Sequence, residues 1–132
     1  MPLLFENRMD KIKSHRQLIV WQKAMDAAMA VFEVTHSFPG EERFNLTQQI
    51  LRSSRSVPAN ISEAWRKRRY SAAFISKLND AEGEAAETQM HLELALRCKY
   101  LTAESANQLD QAYEEIISIL ATMANHPDKW CL

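Results

Sequence analysis

The chain has 132 residues, 46% hydrophobic and 25% charged, with a formal net charge of -1. That is enough for one domain with a real core and too little for two. With only two glycines and four prolines, and with Ala, Leu, Glu, Gln, Met and Arg dominant, the local preference is helical nearly everywhere, which predicts an all-α protein.

Residues 1–13 read as a flexible N-terminal arm. Ser14 followed by Gln17 is a capping-box pattern, and behind it Leu18, Trp21, Met25, Ala28, Phe32 and Thr35 recur at steps of three and four. This predicts a first helix over His15–His36, ended by Ser37-Phe38-Pro39-Gly40, where Pro then Gly suits the centre of a turn. Asn45 with Gln48 offers a second box-like start, after which Leu46, Ile50, Ser53, Val57, Ile61 and Ala64 form an apolar stripe. The stripe passes through Pro58 without losing phase, and no turn chemistry follows the proline. One kinked second helix over Leu46–Arg68 is therefore predicted, with Ser53, Ser54 and Ser56 as hydroxyl donors to the carbonyls that Pro58 frees.

Ser71 is the expected N-cap of a third helix, in which Phe74, Leu78, Ala81, Ala85, Thr88, Leu92 and Ala95 make the cleanest heptad pattern of the chain. Thr102 then caps a fourth helix carried by Leu109, Tyr113, Ile116, Leu120 and Met123 to a stop before Pro127. Four long helices with short connections predict an antiparallel up-down-up-down four-helix bundle over residues 14–125, followed by a tail over 126–132.

Charge is unevenly laid out. From Arg43 to Lys77 there are eight Lys/Arg against one acid, and from Leu78 to Glu115 nine acids against two bases. On a helical wheel Arg52, Arg55 and Arg66 fall opposite the core stripe of the second helix, interleaved with Ser56, Ala59 and Ser62. Small residues there permit close approach of another backbone, and the long cations need partners. On the third helix Asp80, Glu84, Glu87 and His91 line one flank of the core stripe. A subunit interface built from the arginine face and the acidic flank is the expectation.

Several segments together resemble a known family: LRSSRSVPANISEAW, GEAAETQMHLELALRCKYL, the VWQKAM stretch and the Phe38-Pro39 turn. They are similar to the four-helix-bundle proteins associated with intervening sequences in bacterial 23S ribosomal RNA genes, over roughly residues 18–101. The most distinctive piece is S-V-P-A-N-I-S-E. Ala64 stands where the family usually has glycine, and Lys99 stands where glycine is common. These two departures suggest stronger helix propensity at two helix ends. The resemblance implies a bundle that assembles with itself into a ring-like homo-oligomer, a pentamer being the expected form. It also implies no established catalytic activity and an unsettled connection to RNA or DNA.

The chemistry-bearing residues point the same way. A di-metal carboxylate bundle needs Glu-x-x-His on two helices, and only Glu33 to His36 fits. Glu87 and His91 are better read as a helix-surface pair. Arg8 and His15 match an R-x6-H spacing but precede the first helix. No nucleophile turn and no Gly-rich phosphate loop are present, so no enzyme, no cofactor, no metal and no small-molecule substrate are expected. Arg66, Lys67, Arg68, Arg69 and Tyr70 are the candidate nucleic-acid contacts, although a pI near 6.4 argues against strong unspecific binding by a monomer. No apolar run approaches the ~20 residues that span a bilayer, and MPLLFENRMDKIK lacks a signal-peptide pattern. No membrane partner and a cytoplasmic location follow as expectations. Cys98 and Cys131 are too few for a disulfide framework and read as a buried thiol and a tail thiol.

Overall fold

The computed structural model describes residues 12–132. Arg8 and most of the N-terminal arm lie outside the described residues. Four long helices, α1 (Ile19–Val34), α2 (Leu46–Arg66), α3 (Ser71–Arg97) and α4 (Ala103–Ala124), are followed by a short α5 (Pro127–Trp130). They pack cyclically, α1 on α2, α2 on α3, α3 on α4 and α4 back on α1. Arg52 meets Glu84 whereas Glu63, further along α2, meets Lys77, so α2 and α3 run in opposite directions. Trp21 Nε1 donates to Ser62 Oγ at 3.0 Å across α1 and α2, and Lys23 pairs with Glu115 at 2.8 Å across α1 and α4.

The first helix starts later than its cap predicts. Ser14 and Gln17 do form a reciprocal capping box, but it closes only a 3-10 turn, His15–Gln17. Leu18 is extended, with ψ of 126°, and turns its side chain into the core. The buried face of α1 is then Val20, Ala24, Ala27, Ala28 and Val31. Trp21 and Phe32 are only half-buried and Met25 is exposed. The predicted stripe followed the largest side chains, whereas the core face of this helix is built from small ones that let its backbone approach its neighbours.

The loop from α1 to α2 is pinned by the end of α3. Phe38 is buried and packs on Tyr100 with ring centroids 5.6 Å apart, and Ser37 Oγ donates to the Tyr100 carbonyl at 3.0 Å. Tyr100 Oη donates to Glu42 at 2.9 Å. Losing that bond and placing two negative charges together raises the phenol to about 12. Pro39 leads into a 3-10 turn, Gly40–Glu42, and Glu42 rather than Asn45 caps α2, its Oε1 accepting from Leu46 N at 3.3 Å. The expected Asn45 box does not form.

Helix α2 is continuous through the buried Pro58 and ends at Arg66, two residues before the expected boundary. The hydroxyls expected to serve the Ser54 carbonyl bond elsewhere. Ser53, Ser54 and Ser56 donate to the carbonyls of Ile50, Leu51 and Arg52, one turn upstream. The α3 stripe predicted from the heptad pattern is buried at every position, as is the α4 stripe. Thr102 caps α4 by accepting from Ser105 N. Ser71, in contrast, is the first helical residue of α3, and its N-cap Tyr70 makes no side-chain cap.

The C-terminus of α3 closes as a Schellman motif. Tyr100 N bonds Ala95 O and Lys99 N bonds Leu96 O, both at 2.9 Å. That geometry puts Lys99 at φ 65°, the one non-glycine residue with positive φ among the described residues. The substitution for glycine therefore stores left-handed strain and does not favour the helix end, and it leaves Cys98 exposed where a buried thiol was expected. Lys99→Gly should stabilise the fold by about 1 kcal/mol, read as a rise of roughly 4 °C in thermal midpoint.

His91 was expected on the acidic flank but is 2% exposed, and neither ring nitrogen has a hydrogen-bond partner, as is also true of the Tyr113 hydroxyl. Burial lowers the His91 imidazole below its ordinary 6.5, Arg52 adding to the effect and Glu87 opposing it. Below that value the unfolded chain binds the proton that the folded chain resists, so stability falls as pH drops through 6.5. His15, also lowered by burial, contributes with the same sign. In urea titrations the native midpoint should decline on acidification from neutral pH, and His91→Gln should flatten that decline without abolishing it.

Candidate functional site

Two surfaces emerge from the way α2 and α3 are held together. Along the seam, Arg52 bridges Glu84 at 3.2 Å and Glu87, while Lys77 bridges Glu63 at 3.0 Å and Asp80 at 3.7 Å. Burial lifts the Glu84 carboxyl above its ordinary value, with Arg52 pulling the other way. The acidic flank expected to meet a neighbouring subunit is thus engaged by cations of its own chain. The α2 face divides similarly. Ser62 is half-buried, accepting from Trp21 and donating to the Pro58 carbonyl. Ser56 is half-buried and bonded to its own helix. Arg55, Ala59 and Arg66 remain fully outward.

Beside this seam, α3 carries an outward stripe that the sequence reading passed over. Gly83, Ala86, Met90 and Leu94 follow one another at steps of three and four and are all exposed, Met90 at 48% and Leu94 at 43%. A Cβ placed on Gly83 would meet nothing within 4 Å, so neither packing nor backbone geometry requires glycine there. The period was visible in the sequence, but the stronger inward heptad of the same helix draws the eye from it.

The second surface is the C-terminal end of α2. Lys67 N closes the helix on the Glu63 and Ala64 carbonyls. Arg68 is not a free cation. Its guanidinium lies 3.4 Å from the centroid of the Trp65 ring, its Nε donates to the Trp65 carbonyl, and its own carbonyl accepts from Leu132 N. Burial lowers Arg68 from its ordinary value, Cys131 opposing and Arg66 adding to the shift. Arg66, Lys67, Arg69 and Tyr70 are exposed, Tyr70 at 66%. Arg16 and Arg66 both act on His15, whose imidazole is lowered by burial first and by these two cations after it. Positive charge therefore gathers at this end of the bundle. Among the described residues no carboxylate forms a salt bridge with Arg66, Lys67 or Arg69.

The metal-like pairs stay pairs. Glu33 and His36 are 3.7 Å apart at an exposed helix end, and Glu87 and His91 are 3.9 Å apart. Among the described residues no group of three or more His, Cys, Asp or Glu side chains could hold a metal ion, and no helix is long and apolar enough to cross a membrane.

Comparison with known proteins bears on both surfaces. No curated protein matches the chain. A crystal structure of a protein of unknown function from the S23 ribosomal protein family of Bacteroides thetaiotaomicron VPI-5482 is 34% identical. It superposes with a TM-score of 0.73, covering 80% of this chain and 98% of that one. A family model described as 23S rRNA-intervening sequence protein matches residues 16–122, which take in α1 to α3 and nearly all of α4. The chain belongs to the family of 23S rRNA-intervening sequence proteins.

Proposed function

We propose that this protein is a non-catalytic interaction module of the cytoplasm that works as a homo-oligomer, a ring-like pentamer being the form the family resemblance implies. The observation that carries this reading is the exposed stripe Gly83, Ala86, Met90 and Leu94 on α3. An apolar strip with small residues at one end suits a helix from a second copy, because methionine and leucine supply contact area while glycine and alanine let backbones approach. The outward Ala59 and Arg55 of α2 lie across the seam and extend the same face. The in-chain pairing of Arg52 moves the weight of the interface from charge pairing to apolar contact.

Light scattering coupled to size exclusion tests this directly. The native chain should elute as one assembly at micromolar concentration, and Met90→Glu with Leu94→Glu should convert it to a helical, folded monomer. A monodisperse native monomer overturns the reading. Arg55→Glu should weaken assembly, whereas Arg52→Glu also breaks an intrachain bridge and tests less cleanly.

A second reading has its own observation, the exposed cations Arg66, Lys67 and Arg69 beside the exposed Tyr70. Cations without carboxylate partners can neutralise phosphates, and an adjacent aromatic can stack on an unpaired base. Repeated around a ring, weak contacts would add. The family's description points to ribosomal RNA as the nucleic acid to try first. Binding to structured fragments of that RNA should weaken with salt, and Arg66→Ala, Lys67→Ala and Arg69→Ala together should lower the slope of log affinity against log salt by roughly 2 per protomer engaged. Arg68→Ala should instead lower stability, because it removes the stack on Trp65. Salt-independent affinity, or affinity untouched by the triple change, defeats this reading.

A further inference from the structure

Between the N-terminal end of α1 and the C-terminal end of α4 lies an apolar groove of about 440 Å³, walled by Leu18, Ile19, Ile119 and Met123 and closed at its ends by Ile12 and Trp130. Ile12 and Trp130 lie outside the stretch that matches the family, residues 16–122. The groove is therefore finished by segments that this chain adds to the family's bundle. We propose that its occupant is the chain's own N-terminal segment, with Leu3, Leu4 and Phe5 seated in it.

Three features of the chain favour that occupant over a free ligand or a second copy. Residues 1–11 lead directly into Ile12, which itself lines the groove. The tether from Phe5 to Ile12 is long enough, since an extended chain covers about 3.3 Å per residue. The groove wall on α4, Ser118 to Met123, spans less than 10 Å, or about 1.5 Å per residue. The composition also fits: Leu3, Leu4 and Phe5 are contiguous and apolar, and the stretch from Glu6 to Lys11 is polar apart from Met9, as a link crossing solvent to an apolar slot would be. A covalent tether this short holds its end at a local concentration of about millimolar, which a separate chain at micromolar concentration does not match.

Tryptic cleavage after Arg8 and Lys11 reads the docking, because both bonds lie in the tether. In the full chain, Leu3→Ser, Leu4→Ser and Phe5→Ser combined should speed that cleavage by about tenfold, since a docked segment is cut only when it opens. The same variant should gain binding of anilinonaphthalene sulfonate, and a peptide of residues 1–11 should displace that dye. The native chain should bind little dye. These substitutions lie outside the bundle, so folding is not at stake; Ile119→Glu, made in the groove wall, should give the same faster cleavage. Equal cleavage rates for the native chain and the triple variant overturn the proposal. So does protection that rises with protein concentration, which would assign the groove to the segment of another copy.

Discussion

The buried hydroxyl pair Ser53 and Thr88 sets the register on which the rest of the bundle depends. The two oxygens lie 2.8 Å apart in the core between α2 and α3. Thr88 donates its own proton to the Glu84 carbonyl at 2.9 Å, so the shared proton comes from Ser53. Such a bond is worth only about 1 kcal/mol net, but sliding one helix past the other would leave both oxygens buried without a partner, at about 1–3 kcal/mol each. Apolar contacts alone do not choose so sharply between neighbouring registers. Above and below this pair, the bridges Arg52 to Glu84 and Lys77 to Glu63 fall into line because the helices are already aligned. Exposed pairs of this kind follow a register more than they create it.

The same economy of hydroxyls runs along α2. Ser53, Ser54, Ser56 and Ser62 return their protons to carbonyls three or four residues back, and Asn60 does the same with its amide. These bonds let polar side chains occupy half-buried positions without opening the helix to water. They also explain why a helix with a proline at its centre can face two neighbours at once. Ser62 receives Trp21 from α1, while Ser53 meets Thr88 from α3. His91 and Tyr113 are where this accounting fails, since their buried polar atoms are left without partners. At those two positions the core retains polarity that it does not use for cohesion.

How much of this could be read from the sequence differs from helix to helix for a physical reason. In α3 and α4 the apolar residues keep to one face, so period alone places Phe74, Leu78, Ala81, Tyr113 and Leu120 in the core. In α1 apolar residues go right round the helix, and period cannot choose between Trp21 with Phe32 and Val20 with Val31. Caps were legible when the side chain had only one backbone to serve, as at Ser14 and Thr102. Asn45 and Ser71 carry the same signal, but Glu42 reaches in from the preceding turn to cap α2, and α3 already begins at Ser71. Lys99 shows a converse limit: its family position was recognised as one for glycine, but the cost appears only once the left-handed φ is known. For the candidate surfaces, the helical wheel placed Arg55, Ala59 and Arg66 outward. It could not show that Arg52 and Ser62, a few tens of degrees away, would be taken up by α3 and α1.

The charge blocks of the sequence can now be separated into what the fold consumes and what it leaves. Arg52 and Lys77 draw Glu63, Asp80, Glu84 and Glu87 into the seam, and Arg68 is spent on Trp65. The basic block keeps Arg55, Arg66, Lys67 and Arg69 outward and without a salt bridge among the described residues. Three of these lie at the C-terminal end of α2, where the helix dipole favours a cation by about 0.3–1 kcal/mol. Local electrostatics is thus a sufficient reason for their sign. Arg55 has no such reason. It is in the middle of α2, far from either terminus, beside the exposed Ala59, with no carboxylate of its own chain in contact. A long cation held at mid-helix next to a position bare enough for another backbone is what an assembly face would require. Arg55 therefore carries more information about self-association than the more conspicuous run Arg66 to Arg69.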